Sequence, residues 1–372
     1  MISPKLLRFA AVVFVLGVVA AHWRPDTGFT SLIRFGHEFD GRRLPQIETR
    51  PLAVVPGAGY DGQYYAQLAV QPDVTDPDLQ RALDVTAYRA RRILLPLVAH
   101  AAGFGRARAT LEIYALLNTV CWLALAWCWW RWLPDHGARG TAAWLASLLS
   151  LGALDSVRFS LSDLPMMLAL ALGVRALERG RGKLAAAAFL AAGFVRETAV
   201  LALQPFGAGG TPRERRAAWL RAALCTAPVA LWCAFLAWRV PGPSLGVGGN
   251  FDWPGVAFAR QLLRCGSELG HGNFDSRYLF GLIGAVGMAY QSVYLLRRWR
   301  APDPWLRLGV PFAVLFWFLG DYVWLGYWAV ARATLPMLFV FNRAILAERR
   351  ISVHLVAGNL FVLHSVYRFL PF

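Results

Sequence analysis

The chain has 372 residues, of which 57% are hydrophobic and only 16% are charged, whereas about 25% are charged in an ordinary soluble domain. Its mean hydropathy is +0.43. A soluble protein of this size cannot hide so much apolar surface beneath a polar exterior. The composition therefore excludes a secreted disulfide-rich domain, a disordered chain and a soluble enzyme, and it predicts a polytopic membrane protein.

The formal net charge is +16. The basic residues stand in short clusters between apolar runs, which is typical of the cytoplasmic loops of membrane proteins, so we expect no nucleic-acid partner. Lys5 and Lys183 are the only lysines, and alanine and glycine are abundant. This composition indicates a GC-rich bacterial gene and hence the bacterial cytoplasmic (inner) membrane. No grouping of Cys and His has the spacing of a metal site.

A first apolar run covers residues 6–22; Lys5 precedes it and Arg8 lies near its start. It is read as a membrane anchor or as a signal peptide, and both place the loop of residues 23–109 outside. Further apolar runs cover residues 111–130, 141–154, 164–177, 184–206, 217–240, 278–296, 305–319, 326–341 and 351–369.

The positive-inside rule places the N-terminus in the cytoplasm and residues 23–109 and 241–277 in two extracytoplasmic loops. We therefore predict an all-α fold in which residues 1–372 form a single integral membrane domain. Its transmembrane bundle is expected to hold about 10–12 membrane helices, some of them short or re-entrant.

The run 184–206 is flanked by basic clusters on both sides, and Arg196 and Glu197 lie in its middle. A charged residue at the bilayer centre costs about 2.5–3.5 kcal/mol. A helical hairpin that turns at Arg196 keeps both basic clusters in the cytoplasm, but its arms are too short to span. The pattern predicts a polar cavity entered from outside, with Arg196 and Glu197 at its floor.

The first outer loop contains the stretch 59–69, where Tyr60, Tyr64 and Leu68 follow helical spacing. This spacing predicts a short amphipathic helix at the membrane interface, where tyrosine is favoured. Asp61 then either caps the N-terminus of this helix or stands at the outer rim of the bilayer as a functional carboxylate.

Arg89, Arg91 and Arg92 precede an apolar run, 93–104, that is too short to span and is therefore expected to be interfacial or re-entrant. These three arginines lie on the outer side, against the positive-inside trend. Because a guanidinium binds phosphate with a planar fork, the cluster is predicted to hold a lipid phosphate. Snorkelling to ordinary head groups is the alternative.

Two further charged residues lie near predicted outer turns. Asp163 ends the predicted turn 155–163, where a carboxylate either caps a helix or takes part in catalysis. Arg332 lies near the outer end of a span, where a buried arginine usually faces a cavity. Arg332 is therefore expected to contact substrate or to pair with Asp321.

This layout resembles the GT-C superfamily of multi-pass glycosyltransferases, and in particular bacterial members related to GPI-type mannosyltransferases. The resemblance rests on the long first outer loop and on the stretches 60–65 (YDGQYY), 88–96 (YRARRILLP), 162–163 (SD) and 195–198 (VRET). It implies transfer of a sugar from a polyprenyl-phosphate carrier to an envelope glycan, lipid or protein acceptor at the extracytoplasmic face. The essential acid would be Asp61, with Asp40 as a second option. Because Asp61 is followed by Gly62 and not by a second acid, the need for a divalent cation stays open.

In this interpretation Asp61 accepts the proton of the acceptor hydroxyl, and arginines stabilise the leaving phosphate. The predicted substrate-binding residues are Tyr60, Gln63, Tyr64, Asp84, Tyr88, Arg89, Arg91, Arg92, Asp163, Arg196, Glu197 and Arg332. A transporter or flippase of an anionic lipid or lipid-linked sugar is the alternative, because it too would place Arg and Glu in a membrane cavity. A non-catalytic scaffold in envelope assembly is a third reading.

Overall fold

Helices account for 74% of the chain in a computed structural model that describes residues 3–207, 211–240, 242 and 249–370. The predicted helical fold is confirmed at this level. One small departure is a parallel pair of two-residue strands, β1 (Phe35–Gly36) and β2 (Val54–Val55), inside the first predicted loop. Residues 241 and 243–248 of the second predicted loop lie outside the described residues.

The helices fall into an irregular N-terminal part and a helical body. The first part contains α1 (Pro4–Ala21), α2 (Pro45–Glu48), α3 (Gly62–Val70), α4 (Pro77–Ala82), α5 (Thr86–Arg89) and α6 (Leu94–Ala102). The body contains α7 (Ala107–Trp132), α8 (Ala138–Leu148), α9 (Leu151–Arg158), α10 (Asp163–Glu178), α11 (Gly182–Val195), α12 (Pro212–Arg239), α13 (Val256–Gly270), α14 (Ser276–Leu296), α15 (Pro304–Phe318), α16 (Asp321–Trp324), α17 (Tyr327–Ala333), α18 (Leu335–Ala344), α19 (Ile351–Asn359) and α20 (Val362–Phe369). Five 3₁₀ segments cover Thr30–Leu32, His37–Phe39, Ala90–Arg92, Glu197–Gly207 and Ile345–Ala347.

Among the described residues, four helices are long and apolar enough to cross a membrane: α1, α7, α12 and α14. Two bent pairs, α8 with α9 at 47° and α17 with Leu335–Ala347 at 68°, raise the number to six if each pair is one span. The sequence predicted about 10–12 membrane helices because it counted every apolar run. Several of these runs form short helices: α11 and α15, with 14 and 15 residues, reach only about 21 to 23 Å.

The break predicted in the run 184–206 is present. Helix α11 ends at Val195, Arg196 has an extended backbone (φ −158°, ψ 125°), and the 3₁₀ segment begins at Glu197. Charge placement alone located this break. The chain leaves regular helical geometry where two adjacent ionisable residues interrupt an apolar stretch.

Helix α3 is not the interfacial helix that the tyrosine spacing predicted, because all nine of its residues are buried. Its glutamines bond to the backbone of the surrounding loop. The Gln63 carbonyl accepts from Gly36 N–H at 3.1 Å, and its amide donates to the Ala58 carbonyl at 2.7 Å. The Gln67 amide donates to the Ala82 carbonyl. Gln63 is therefore a structural residue, and its assignment to substrate binding is wrong.

The predicted outer turn 155–163 is shorter than expected. Helix α9 continues to Arg158, and only residues 159–162 connect it to α10, which begins at Asp163. Asp155 is consequently a buried helical residue, 3% exposed. The turn and the start of α3 pack closely, since a Cβ on Gly62 would overlap the carbonyl oxygen of Phe159.

We predict that Gly62→Ala lowers the stability of the protein by about 1–3 kcal/mol, the usual cost of overpacking. The added methyl group would meet the Phe159 carbonyl and approach that of Ile33 to 2.9 Å. The matched control is Gly266→Ala in α13, where a Cβ would meet nothing within 4 Å. The melting temperature of the detergent-solubilised protein should fall for the first variant and hold or rise for the second; equal values would contradict this packing.

Candidate functional site

A cavity of about 510 Å³ lies where the N-terminal part meets the helical body. Its charged and polar lining residues are Asp61, Tyr88, Arg91, Arg92, Arg196, Glu197, Thr198, Asn250 and Arg332. Its apolar and aromatic lining residues are Phe251, Leu315, Leu319, Tyr322, Val323, Ala329 and Ala333. Such a cavity suits a ligand with an anionic end and an apolar end.

Arg332, in the last turn of α17, is a buried cation with unused donors. It is 8% exposed, and its Nε and Nη1 atoms have no hydrogen-bond partner among the described residues. Its Nη2 lies 4.0 Å from Asp61 Oδ2, and its Nε lies 4.0 Å from Asp163 Oδ2. Because an unsatisfied buried guanidinium is costly, this geometry is typical of an anion-binding group.

Asp61 occupies the N-cap position of α3, but its side chain makes no capping hydrogen bond. The carboxylate instead lies 3.0 Å from Arg89 Nη1 and remains 33% exposed. Burial alone would raise the pKa of Asp61, but nearby arginines, first Arg89 and then Arg332, outweigh it and hold that pKa below its usual value of 3.8. The capping alternative is therefore wrong, and Asp61 is an ionised carboxylate facing the cavity.

Arg89 and Arg92 use their guanidinium groups in ion pairs inside the protein. Arg89 binds both oxygens of Asp84, at 2.8 and 2.6 Å. Arg92 binds both oxygens of Glu197, at 2.9 and 2.8 Å, and also donates to the Tyr65 and Tyr88 hydroxyls. These ion pairs give both arginines a structural role, and their binding of a phosphate stays a prediction; Arg92 also lines the cavity. Arg91 lines the cavity.

Arg196, which lines the cavity, forms an ion pair with Asp163, which is 1% exposed. Asp163 is the first residue of α10 and caps no helix, so that alternative is wrong. The predicted pairing of Arg332 with Asp321 is also wrong, because Asp321 bonds to Arg260 at 2.5 Å.

Tyr60 belongs to the site, although it does not line the cavity. Its ring packs at a tilt of 32° against Phe159 with centroids 4.6 Å apart, and the Arg332 guanidinium carbon lies 5.3 Å from the Tyr60 ring centroid. Burial raises the pKa of Tyr60 to about 12, so its phenol stays protonated at neutral pH.

The remaining predicted residues do not line the cavity. Tyr64 and Asp84 contact Arg89, and Asp40 lies elsewhere. Tyr64 is buried under the Arg89 guanidinium, 4.4 Å from the ring centroid, and Asp84 faces solvent while holding Arg89. Asp40 is 46% exposed, bonds to His37 and Arg43, and is not among the cavity-lining residues. The structure thus places Asp61, and not Asp40, at the cavity.

Sequence reasoning missed both the apolar lining of the cavity and Tyr65. Tyr65 is off the helical spacing of Tyr60, Tyr64 and Leu68, yet its hydroxyl accepts from Arg92 at 2.6 Å. The run 305–319 was interpreted only as a span and the residues after it as an outer turn, yet these two segments supply Leu315, Leu319 and Tyr322 to the cavity. Within the described ranges, no group of three or more His, Cys, Asp or Glu could hold a metal ion.

No protein-family model, no curated protein and no solved structure matches this chain. The resemblance to GT-C glycosyltransferases therefore remains a hypothesis, and any function assigned to the chain rests on the chemistry of the cavity.

We predict that Glu197→Gln destabilises the protein by roughly 3 kcal/mol, because it leaves the buried Arg92 without a counter-charge. Chemical or thermal unfolding in detergent measures the effect. The control is Asp78→Asn, which removes an exposed carboxylate from a surface pair with Arg81 and should change stability by less than about 1 kcal/mol. Equal losses of stability in the two variants would show that the buried Arg92–Glu197 pair contributes no more to folding than an exposed pair does.

Proposed function

We propose that this chain is a polytopic membrane glycosyltransferase that moves a sugar from a polyprenyl-phosphate carrier to an envelope acceptor at the extracytoplasmic face. The observation that carries the proposal is the position of Asp61. Its ionised carboxylate faces the cavity 4.0 Å from Arg332, whose donors are unused.

The mixed lining of the cavity supports a lipid-linked substrate. It contains more arginines than carboxylates: Arg91, Arg92, Arg196 and Arg332 against Asp61 and Glu197. Its apolar residues, with Phe251, Leu315 and Leu319 among them, suit the first isoprene units of a carrier. A soluble sugar nucleotide would leave these apolar residues uncovered.

In the proposed reaction the oxygen of the acceptor hydroxyl attacks the anomeric carbon of the sugar. The bond from that carbon to the phosphate oxygen breaks, and the lipid phosphate leaves with the bonding electron pair. Asp61 Oδ2 accepts the hydroxyl proton as the new glycosidic bond forms. Arg332 stabilises the charge that develops on the phosphate, and Arg196 adds a second cation at the floor.

A flippase would use the same cavity to bind the same lipid, but it would break no bond. The decisive experiment is therefore to supply polyprenyl-phosphate sugars and candidate acceptors to the purified protein and to look for a glycosylated product. A protein that binds the lipid phosphate without sugar transfer, while moving the lipid between leaflets, would contradict the proposal.

We expect Asp61→Asn to abolish transfer, with a loss of at least about a hundredfold, because the amide cannot accept the hydroxyl proton. The variant should still be expressed and bind donor lipid. Asp40→Asn and the exposed Asp78→Asn should both retain activity. Full activity in Asp61→Asn, or its loss in Asp40→Asn alone, would overturn the assignment of the base.

We also predict that the transfer rate shows no acidic limb from Asp61 between about pH 5 and 8. Its pKa is held below the usual value, so the carboxylate stays ionised over this range and is protonated only as the pH falls below about 4. Initial rates across this range, corrected for protein stability, provide the test. An acidic limb near pH 6 that disappears in Asp61→Glu would contradict the geometry.

A further inference from the structure

A second cluster of arginines lies near Phe159, the ring that packs against Tyr60. Arg34 precedes β1, and Arg158 ends α9; their guanidinium carbons lie 5.4 and 6.0 Å from the Phe159 ring centroid. Arg368, in the last turn of α20, places its Nη2 3.8 Å from Asp155 Oδ2. Three distant parts of the chain thus bring their cations together.

His22 adds no positive charge to this cluster. Burial and then Arg158 lower its pKa to about 4, so the ring is neutral at physiological pH. The Ser31 hydroxyl donates to the His22 carbonyl at 2.9 Å, so His22 Nδ1, 3.1 Å from the same hydroxyl oxygen, is the donor of that pair. Its Nε2 is left with a lone pair that accepts from Arg158.

The cluster therefore holds three guanidinium groups against one carboxylate, Asp155. Arg158 and Asp155 are more than nine-tenths buried, at 8% and 3% exposed. Arg368 Nε and Asp155 Oδ2 are buried and have no hydrogen-bond partner among the described residues. Burial and the charge of Arg368 lower the pKa of Arg34, a sign that the cations repel one another. Within the described part of the chain, Asp155 is the carboxylate within ion-pair distance of this cluster, and the three arginines with Asp155 carry a formal charge of +2.

We propose that Arg34, Arg158 and Arg368 form a second anion site, separate from the cavity, that binds a phosphate group. A phosphate monoester carries nearly two negative charges at neutral pH and presents oxygens that match guanidinium forks. Arg34 is partly buried, and the Arg368 side chain is 25% exposed, so an anion can reach them. No residue of this cluster lines the cavity.

The site lies beside the first one without merging with it. Arg332 lies 5.3 Å from the centroid of the Tyr60 ring, whereas Arg34 lies 5.4 Å from that of the Phe159 ring, so the two groups of cations contact different rings of the pair. Both a lipid head group and a soluble phosphate satisfy this chemistry. The binding does not depend on the proposed sugar transfer.

The test uses the full chain in nanodiscs of phosphatidylcholine. Inorganic phosphate is titrated in one arm, and phosphatidic acid is introduced into the nanodisc in the other; binding is read by calorimetry and by the phosphorus NMR signal. We expect Arg34→Gln and Arg368→Gln each to weaken binding about tenfold or more. Arg277→Gln, which changes an exposed arginine paired with Asp275, should leave it unchanged.

Arg332→Gln distinguishes this site from the cavity and should preserve the binding that Arg34→Gln removes. Binding of phosphatidic acid alone would identify a lipid source, and binding of both probes a soluble phosphate group. Equal affinity in the wild type and in Arg34→Gln and Arg368→Gln, with both variants folded by melting temperature, would overturn the proposal. Loss of binding only in Arg332→Gln would overturn it as well.

Discussion

The double hydrogen bond between Arg92 and Glu197 fixes the cavity in place. It joins residues 105 positions apart, one in the irregular N-terminal part and the other at the break after α11. Arg92 is buried, and the hydroxyls of Tyr65 and Tyr88 occupy its remaining donors. Moving the N-terminal part away would expose an uncompensated charge on each side, so this contact defines how the two parts meet.

The arginines of this protein divide by how fully their donors are used. Each guanidinium nitrogen of Arg89 and of Arg92 contacts a carboxylate or hydroxyl oxygen of the protein. These two arginines therefore hold parts of the chain together. Arg332 and Arg368 retain buried donors without partners, so they have capacity for a ligand. Some arginines thus stabilise the fold through internal ion pairs, and others have donors that an anionic ligand could use.

Much of the helical framework could be predicted, because apolar runs have the length and composition of helices whatever packs around them. The break at Arg196 was also predictable, since charge inside an apolar run is a local signal. The burial of α3 was not, because it depends on glutamine bonds to loop backbone of no regular pattern. The pairing of Arg92 with Glu197 could not be predicted either, because the two residues are 105 positions apart and no local sequence pattern connects them.

The sequence identified the charged residues around the cavity, but it did not predict which of them pair with each other. Arg89 and Asp84 are five residues apart, and their pairing could have been proposed from spacing alone. Asp163 and Arg196 meet only because α10 packs against α11. An acid at a turn is ambiguous until its neighbours in space are known, which is why the capping interpretation of Asp163 failed.

The contact beneath Gly62 has an evolutionary consequence. The carbonyl of Phe159 occupies the volume that a Cβ at position 62 would need, and the ring of the same residue packs against Tyr60. Because that carbonyl belongs to the backbone, relatives that keep this close approach are expected to keep a glycine directly after the acid, whatever residue stands at position 159. The Asp-Gly dipeptide would then be the sequence feature by which distant relatives could be identified.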